Sequence, residues 1–340
     1  MTNLDATAPL PLPPFDIVRF GHAELVVQDL DRSLEFYCDS LGFVLTERTA
    51  THAYLRGLEE RIHHSLALKL GAVPAVTHVA FRVRSDQDLD RAAEFCHSAG
   101  LACQLVAAGD ERGQGPALRF SDPFGFTVEL FYAMDAAERH LQRFELYRGA
   151  TPMRIDHLNL FVPDVASAHR YYTEQLGFRC SEYTETASDP PKVWASWLYR
   201  KPSVHDVALM NGAGPRVHHL GFWVPDQQSV LRACDILAAK GEVEALERGP
   251  GRHGISNAFF LYLRDPDGHR IELYSGDYLT ADPDFEPIRW RLDDPRRQTF
   301  WGHSAPLRWF TEASSVLSID GSVPVATVEP TLADRPDTVT

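Results

Sequence analysis

Three side chains far apart along the chain have the types that hold a redox-active metal: His157, His219 and Glu272. Each lies in a short alternating run that reads as a strand, in MRIDHLNLFV, RVHHLGFWV and HRIELYS. Period-two alternation puts His157 on one face with Asn159 and Phe161, and Glu272 on one face with Arg270 and Tyr274. Two imidazoles and one carboxylate converging on a face form the facial triad that suits non-haem Fe(II), with three coordination positions left open; Mn(II) accepts the same mixed nitrogen and oxygen set. Any one of these histidines taken alone is as well explained as a strand residue satisfied by hydrogen bonds. What favours the metal is where the three fall.

The elements that must position them occur twice. His22-AELVVQD, followed by LDRSLEFYCDSLGF, returns 135 residues later as His157-LNLFVPD followed by VASAHRYYTEQLGF. His64-SLAL and His78-VAF return 141 residues later as His205-DVAL and His219-LGF, and Asp122-PFGFTVE returns after 143 residues as Asp265-PDGHRIE. All three candidate ligands sit on these anchors. Each copy predicts a strand, an amphipathic helix capped by an aspartate and closed at Leu-Gly-Phe, then short strands separated by Gly, Pro and Asp, and the pattern halves again inside each copy. The predicted class is α+β: two tandem modules, 16–135 and 153–276, each of two βαβββ units. A tail, 277–340, follows; its aromatic start is expected to pack on the second module and its end, DGSVPVATVEPTLADRPDTVT, to be loosely ordered.

Composition narrows the partners. A chain of 340 residues is long enough for two cores. With 33 Lys and Arg against 47 Asp and Glu the net charge is −14, which argues against nucleic acid or an anionic membrane as the main partner. Five cysteines, none in a CxxC pair, indicate neither a disulfide framework nor a thiolate zinc site. The start carries no basic and apolar signal pattern and no long apolar run follows, so the cytoplasm is the expected location.

The stretches MRIDHLNLFVPD, RKPSVHDVAL, GPRVHHLGFWV, ERGPGRHGISNAFFLYLRDPDGHRIELYSGDY and WRLDDPRRQTFWG resemble the type I extradiol ring-cleaving dioxygenases of the vicinal oxygen chelate superfamily, nearest those acting on homoprotocatechuate (3,4-dihydroxyphenylacetate). The resemblance covers nearly the whole chain. It implies the vicinal oxygen chelate fold, a homotetramer, and meta cleavage of a catechol by dioxygen to 5-carboxymethyl-2-hydroxymuconate semialdehyde. The implied metal is Fe(II), with Mn(II) possible, on His157, His219 and Glu272. His205 is implied as the acid/base, Tyr262 as hydrogen-bonding a ring oxygen, and Asn159 and Trp197 as lining the oxygen and ring pockets. His253 and Arg248 would come from a Gly-rich loop, ERGPGRHG, with Arg248 at the mouth receiving the substrate carboxylate. The family's second arginine falls on Gln298 in an ungapped alignment. Either Arg297 replaces it after a small shift, or the carboxylate is held less well and other catechols compete. His218, next to His219 in a strand, is expected to face the opposite way.

The N-terminal copy keeps His22, His78 and Glu129, with His64 matching His205, which read literally is a second metal site. Arg119 stands where the second copy has Tyr262, and Glu24 where it has Asn159. A guanidinium aimed at a cation repels it, so Arg119 is expected to pair with Glu24 or Glu129 and leave a structural remnant. Two other functions compete with ring cleavage: a glyoxalase-type metal-dependent lyase or isomerase, and a sequestering module without catalysis. His205 and Tyr262 beside a complete triad disfavour the second, because sequestration needs no proton carrier.

Overall fold

The computed structural model describes residues 12–336. Its first sheet is built from β1 (Ile17–Val27), β2 (Val44–Arg48), β3 (His52–Arg56), β4 (Leu66–Leu70), β5 (Ala75–Val83), β6 (Cys103–Val106), β7 (Ala117–Ser121) and β8 (Thr127–Phe131), in the order β2-β3-β4-β1-β5-β8-β7-β6. The second sheet repeats this with β9 (Arg154–Val162), β10 (Arg179–Glu185), β11 (Val193–Tyr199), β12 (Val207–Asn211), β13 (Arg216–Trp223), β14 (Leu246–Arg252), β15 (Phe259–Arg264) and β16 (Arg270–Ser275). Its order is β14-β15-β16-β13-β9-β12-β11-β10, strand for strand the same path. Helices α1 (Leu30–Leu34) and α2 (Gln87–Ser98) belong to the first sheet, α3 (Val165–Arg170) and α4 (Gln227–Ala239) to the second, completing βαβββ twice in each module.

Local chemistry explains these elements. Asp164 and Asp226 accept the backbone N–H of Ser167 and Ser229 and so start α3 and α4. The first helix of each module relaxes into a π-helical turn, over Glu35–Ser40 and Tyr171–Gln175, and stops at Gly42 and Gly177, whose φ values of 91° and 71° suit a residue without Cβ. Alternation along the strands then sorts the core. Leu158, Leu160 and Val162 of β9, Leu261 and Leu263 of β15, and Ile271 and Leu273 of β16 enter one apolar core with the helices. Their neighbours Phe161, Phe260 and Tyr262 join a second cluster on the opposite face.

The two modules clasp each other symmetrically. Tyr37 donates to Asp265 of the second module at 2.9 Å, and its repeat partner Tyr172 donates to Asp122 of the first at 3.1 Å. Phe81 meets Phe178, and Phe43 meets Phe222, across the same junction. Both aspartates sit in buried turns, and burial raises the pKa of each, that of Asp122 to about 7.

The start of the tail packs on the second module, and its end departs from expectation. β17 (Ile288–Arg291) adds in parallel to β10, and β18 (Ser314–Ser315) pairs with β13. The segment expected to be loose is docked: Val328 bridges Gly214, and the carbonyls of Leu332 and Asp334 accept hydrogen bonds from Asn211 and the Trp194 indole. Leu317 also bonds to Val76 and Thr127 of the first module, so the tail ties both sheets together. Period and composition miss this because its partners are backbone groups of distant strands. Only residues 337–340 of that segment lie outside the described residues.

Replacing Tyr172 by Phe leaves Asp122 buried with one partner fewer. It should cost about 1–3 kcal/mol of unfolding free energy, measured by denaturant titration.

Candidate functional site

β9, β13 and β16 are adjacent, and their register brings the three candidate ligands together. His157 on β9 and Glu272 on β16 both pair with Gly221 of the intervening β13. The His157 Nε2 lies 2.9 Å and the His219 Nε2 3.2 Å from the same Glu272 carboxylate oxygen, and all three side chains are buried. Gly221 is part of this geometry: a methyl group there would collide with the His157 ring. Sequence reading passed over Gly221, although the repeat marks it, since Ala80 stands at the same place in the first copy.

His218 corrects the simple alternation rule. A register shift between Val217 and His219 opens a bulge in β13, and His218 turns to the same side as its neighbour. Its Nε2 donates to the Trp309 carbonyl at 2.9 Å, so its Nδ1 accepts from the His219 Nδ1–H at 2.7 Å. That relay leaves a lone pair on the His219 Nε2, the atom that faces Glu272, and it begins in the tail. His157 is oriented likewise by Asp156, whose carboxylate lies 3.2 Å from its Nδ1. Two imidazole nitrogens and a carboxylate, buried, held by outer partners and converging on one point, fit a divalent cation.

The electrostatics are those of one buried carboxylate shared between two imidazoles. Burial alone would raise Glu272, yet hydrogen bonds to His157 and His219 keep its pKa well below the carboxylate range. Burial lowers His219 to about 4. Burial would lower His157 too, but its two carboxylate partners raise it to about 9. Burial, then the positive charge of His157 and Lys201, hold His205 well below the ordinary histidine value.

A cleft of about 540 Å³ including its mouth opens over the triad. It is lined by every residue that the resemblance places at the site: His157, Asn159, Trp197, His205, His219, Arg248, His253, Tyr262, Glu272 and Arg297. The His205 ring lies 4.1 Å from that of His157, and its buried Nδ1 has no hydrogen-bond partner. His253 Nδ1–H donates to the Gln298 carbonyl, so its Nε2 accepts from the Tyr262 hydroxyl at 3.0 Å. Met210, Ile255 and Trp309 add apolar wall that the sequence had not singled out. Trp309 is legible only once the tail is seen to fold over β15, its ring 4.3 Å from that of Tyr262.

Arg248 is not on a loop at the mouth. Most of the segment ERGPGRHG, up to Arg252, belongs to β14, bulged around Gly249 and Pro250, and Arg248 is 3% exposed between Phe260 and Trp309. One Nη of its guanidinium binds the Gln298 carbonyl and the Thr299 hydroxyl, while Nε and the other Nη are buried without partners. Arg297 is also 3% exposed, over Trp194, with its Nε unpartnered. Gln298 reaches the cleft too, its side-chain oxygen unpaired. Burial lowers both arginines to about 10, so they stay charged near neutrality. Two buried cations with free N–H groups make a ready site for a carboxylate.

In the first module, Arg119 pairs with Glu129, as expected, and not with Glu24. Its second partner, Glu111, was not foreseen; it comes from the β6–β7 loop and also binds His64.

Comparison with known proteins agrees with this geometry. The model of the Glyoxalase/Bleomycin resistance protein/Dioxygenase superfamily matches residues 19–130 and 154–273. The manganese-dependent 2,3-dihydroxybiphenyl 1,2-dioxygenase of Geobacillus genomosp. 3 is 35% identical over 298 residues, 84% of this chain and 94% of that protein. Homoprotocatechuate 2,3-dioxygenase of Arthrobacter globiformis superposes with a TM-score of 0.90 at 43% identity, covering 94% of this chain and 98% of that one. The Brevibacterium fuscum enzyme in complex with 3,4-dihydroxyphenylacetate gives 0.90 at 41% identity, covering 94% and 99%. The chain therefore belongs to the Glyoxalase/Bleomycin resistance protein/Dioxygenase superfamily and, within it, to the extradiol ring-cleaving dioxygenases.

Proposed function

We propose that this dioxygenase opens 3,4-dihydroxyphenylacetate to 5-carboxymethyl-2-hydroxymuconate semialdehyde. The observation that carries the choice of substrate is the pair of buried arginines, Arg248 and Arg297, with guanidinium nitrogens lacking partners above a metal-type triad. An unpaired buried cation is costly, and an acetate side chain on the ring satisfies both. The reading assigns chemistry to the 153–276 module, closure of the site to the 277–340 tail, and structural support to 16–135.

His157, His219 and Glu272 would hold Fe(II) or Mn(II). When bound, the ion supplies Lewis acidity toward both catechol oxygens and the one-electron chemistry that dioxygen needs to react with a closed-shell ring. The protein does the rest. Arg248 and Arg297 fix one end of the substrate and so set which ring edge meets the triad. The Tyr262 oxygen, whose proton is given to His253, keeps lone pairs for a ring hydroxyl. His205, with its free buried Nδ1, takes a hydroxyl proton and later returns it to the opening ring. Trp197, Met210 and Trp309 cover the ring and exclude water, and Asn159 lines the same cleft beside them. Assembly as a homotetramer and a cytoplasmic location belong to the same reading. The five free thiols suit a reducing compartment, and no helix among the described residues is long and apolar enough to cross a membrane.

Aerobic mixing of the iron-loaded protein with 3,4-dihydroxyphenylacetate should give a yellow product and stoichiometric oxygen uptake; silence with every catechol in a panel would end the proposal. Arg248→Met should raise KM for 3,4-dihydroxyphenylacetate by about 10- to 100-fold, the equivalent of about 1.4–2.7 kcal/mol, while uncharged 4-methylcatechol changes little. Steady-state kinetics on both substrates separates carboxylate recognition from general damage. Gly221→Ala should displace His157 and lower metal affinity by about 10- to 100-fold, read by metal titration.

A further inference from the structure

The first module contains a second constellation that ring cleavage does not use. His22, His78, Glu111 and Glu129 come from β1, β5, the β6–β7 loop and β8, all buried, and can each offer one ligand atom within 4.8 Å of the others. The His22 Nε2 lies 3.2 Å from the His78 Nε2, 3.3 Å from a Glu129 oxygen and 3.4 Å from a Glu111 oxygen. The His78 Nε2 lies 3.5 Å from Glu111 and 3.9 Å from Glu129. Around a tetrahedral zinc ion with bonds of 2.0–2.1 Å, ligand atoms stand about 3.3–3.4 Å apart. The three separations from the His22 Nε2 lie within about 0.2 Å of that value, with Oε1 as the facing atom of both glutamates; the 3.5 Å contact of His78 is to the other Glu111 oxygen.

Outer contacts hold three of the four groups in place, and each facing carboxylate oxygen, which accepts one hydrogen bond, keeps a second lone pair. The Thr77 hydroxyl donates to Glu24 and accepts from the His78 Nδ1–H, which puts a lone pair on the His78 Nε2. This is the same arrangement that His218 makes for His219, on the equivalent bulge. His64 donates to Glu111, Gln114 to Glu129, and Arg119 bridges an oxygen of each carboxylate. Arg119 holds the Oε2 atom of each glutamate, so the Oε1 atoms face His22, while the Glu111 Oε2 lies between Arg119 and His78. The repulsion that favoured a metal-free remnant loses its force, because the unforeseen Glu111 adds a second negative charge between guanidinium and cation.

We propose that His22, His78, Glu111 and Glu129 form a second, structural divalent-metal site of the zinc class. Four protein ligands close the shell, in contrast to the three at the catalytic triad, so this ion joins strands and performs no turnover. It stands independently of the ring-cleaving reading.

Stoichiometry decides it. The full-length protein, reconstituted with Co(II) or Zn(II) and freed of loose metal, should hold two ions per chain by elemental analysis. The Co(II) form should show the intense visible bands of a four-coordinate site. His78→Ala should lose one ion and those bands while still cleaving catechol, and Glu272→Ala should lose the other ion and keep the bands. One ion per folded wild-type chain overturns the proposal and leaves a proton on His22 as the group that fills the cluster. Two ions retained in the His78→Ala protein overturn it as well. If His78→Ala does not fold, the wild-type stoichiometry and Co(II) spectrum decide alone.

Discussion

Everything at the catalytic centre depends on the register of three neighbouring strands. β9, β13 and β16 run through the middle of the second sheet, and Gly221 of β13 is paired at once with His157 and Glu272. Strand spacing of about 4.8 Å keeps side chains on adjacent strands within reach of one ion, and the missing Cβ of Gly221 gives the His157 ring its place. A slip of one residue in any of the three strands would turn a ligand into the apolar core. The leucines and isoleucines alternating with the ligands therefore act on the metal geometry, since Leu158, Ile271 and Leu273 can be buried only in this register.

A second constraint is charge. The chain carries −14 overall, yet its active cleft holds two buried arginines. Aromatic rings and backbone carbonyls around Arg248 partly replace water and leave selected N–H groups unsatisfied. The tail supplies much of this environment: Trp309 covers Tyr262 and Arg248, its carbonyl starts the proton relay to His219, and Gln298 anchors both His253 and Arg248. The candidate metal ligands lie in the second duplicated module, and the part that was not duplicated adds Arg297, Gln298 and Trp309 to the wall of the cleft.

The two copies show how one scaffold diverges. Each has the bulge before its second histidine and each gives a tyrosine to the other's buried aspartate. Where the second copy places the neutral pair His253 and Tyr262, the first places the ion pair Glu111 and Arg119. The neutral pair leaves an open cleft; the charged pair fills one.

Duplication made much of this legible in one sequence. Matching anchors identified the βαβββ units, and the ligands fell on those anchors because strand alternation is a local property of the chain. His205 was also marked by the repeat, while Tyr262 and Trp197 were singled out by the family resemblance alone, and all three line the cleft. What the sequence could not determine is what depends on contacts between distant backbones. The bulge that turns His218, the burial of Arg248 in a strand, the docking of the tail through Val328 and Asp334, and the entry of Glu111 into the first cluster all belong to that class. Periodicity specifies which face a residue occupies within its own element; only packing between elements decides what that face meets.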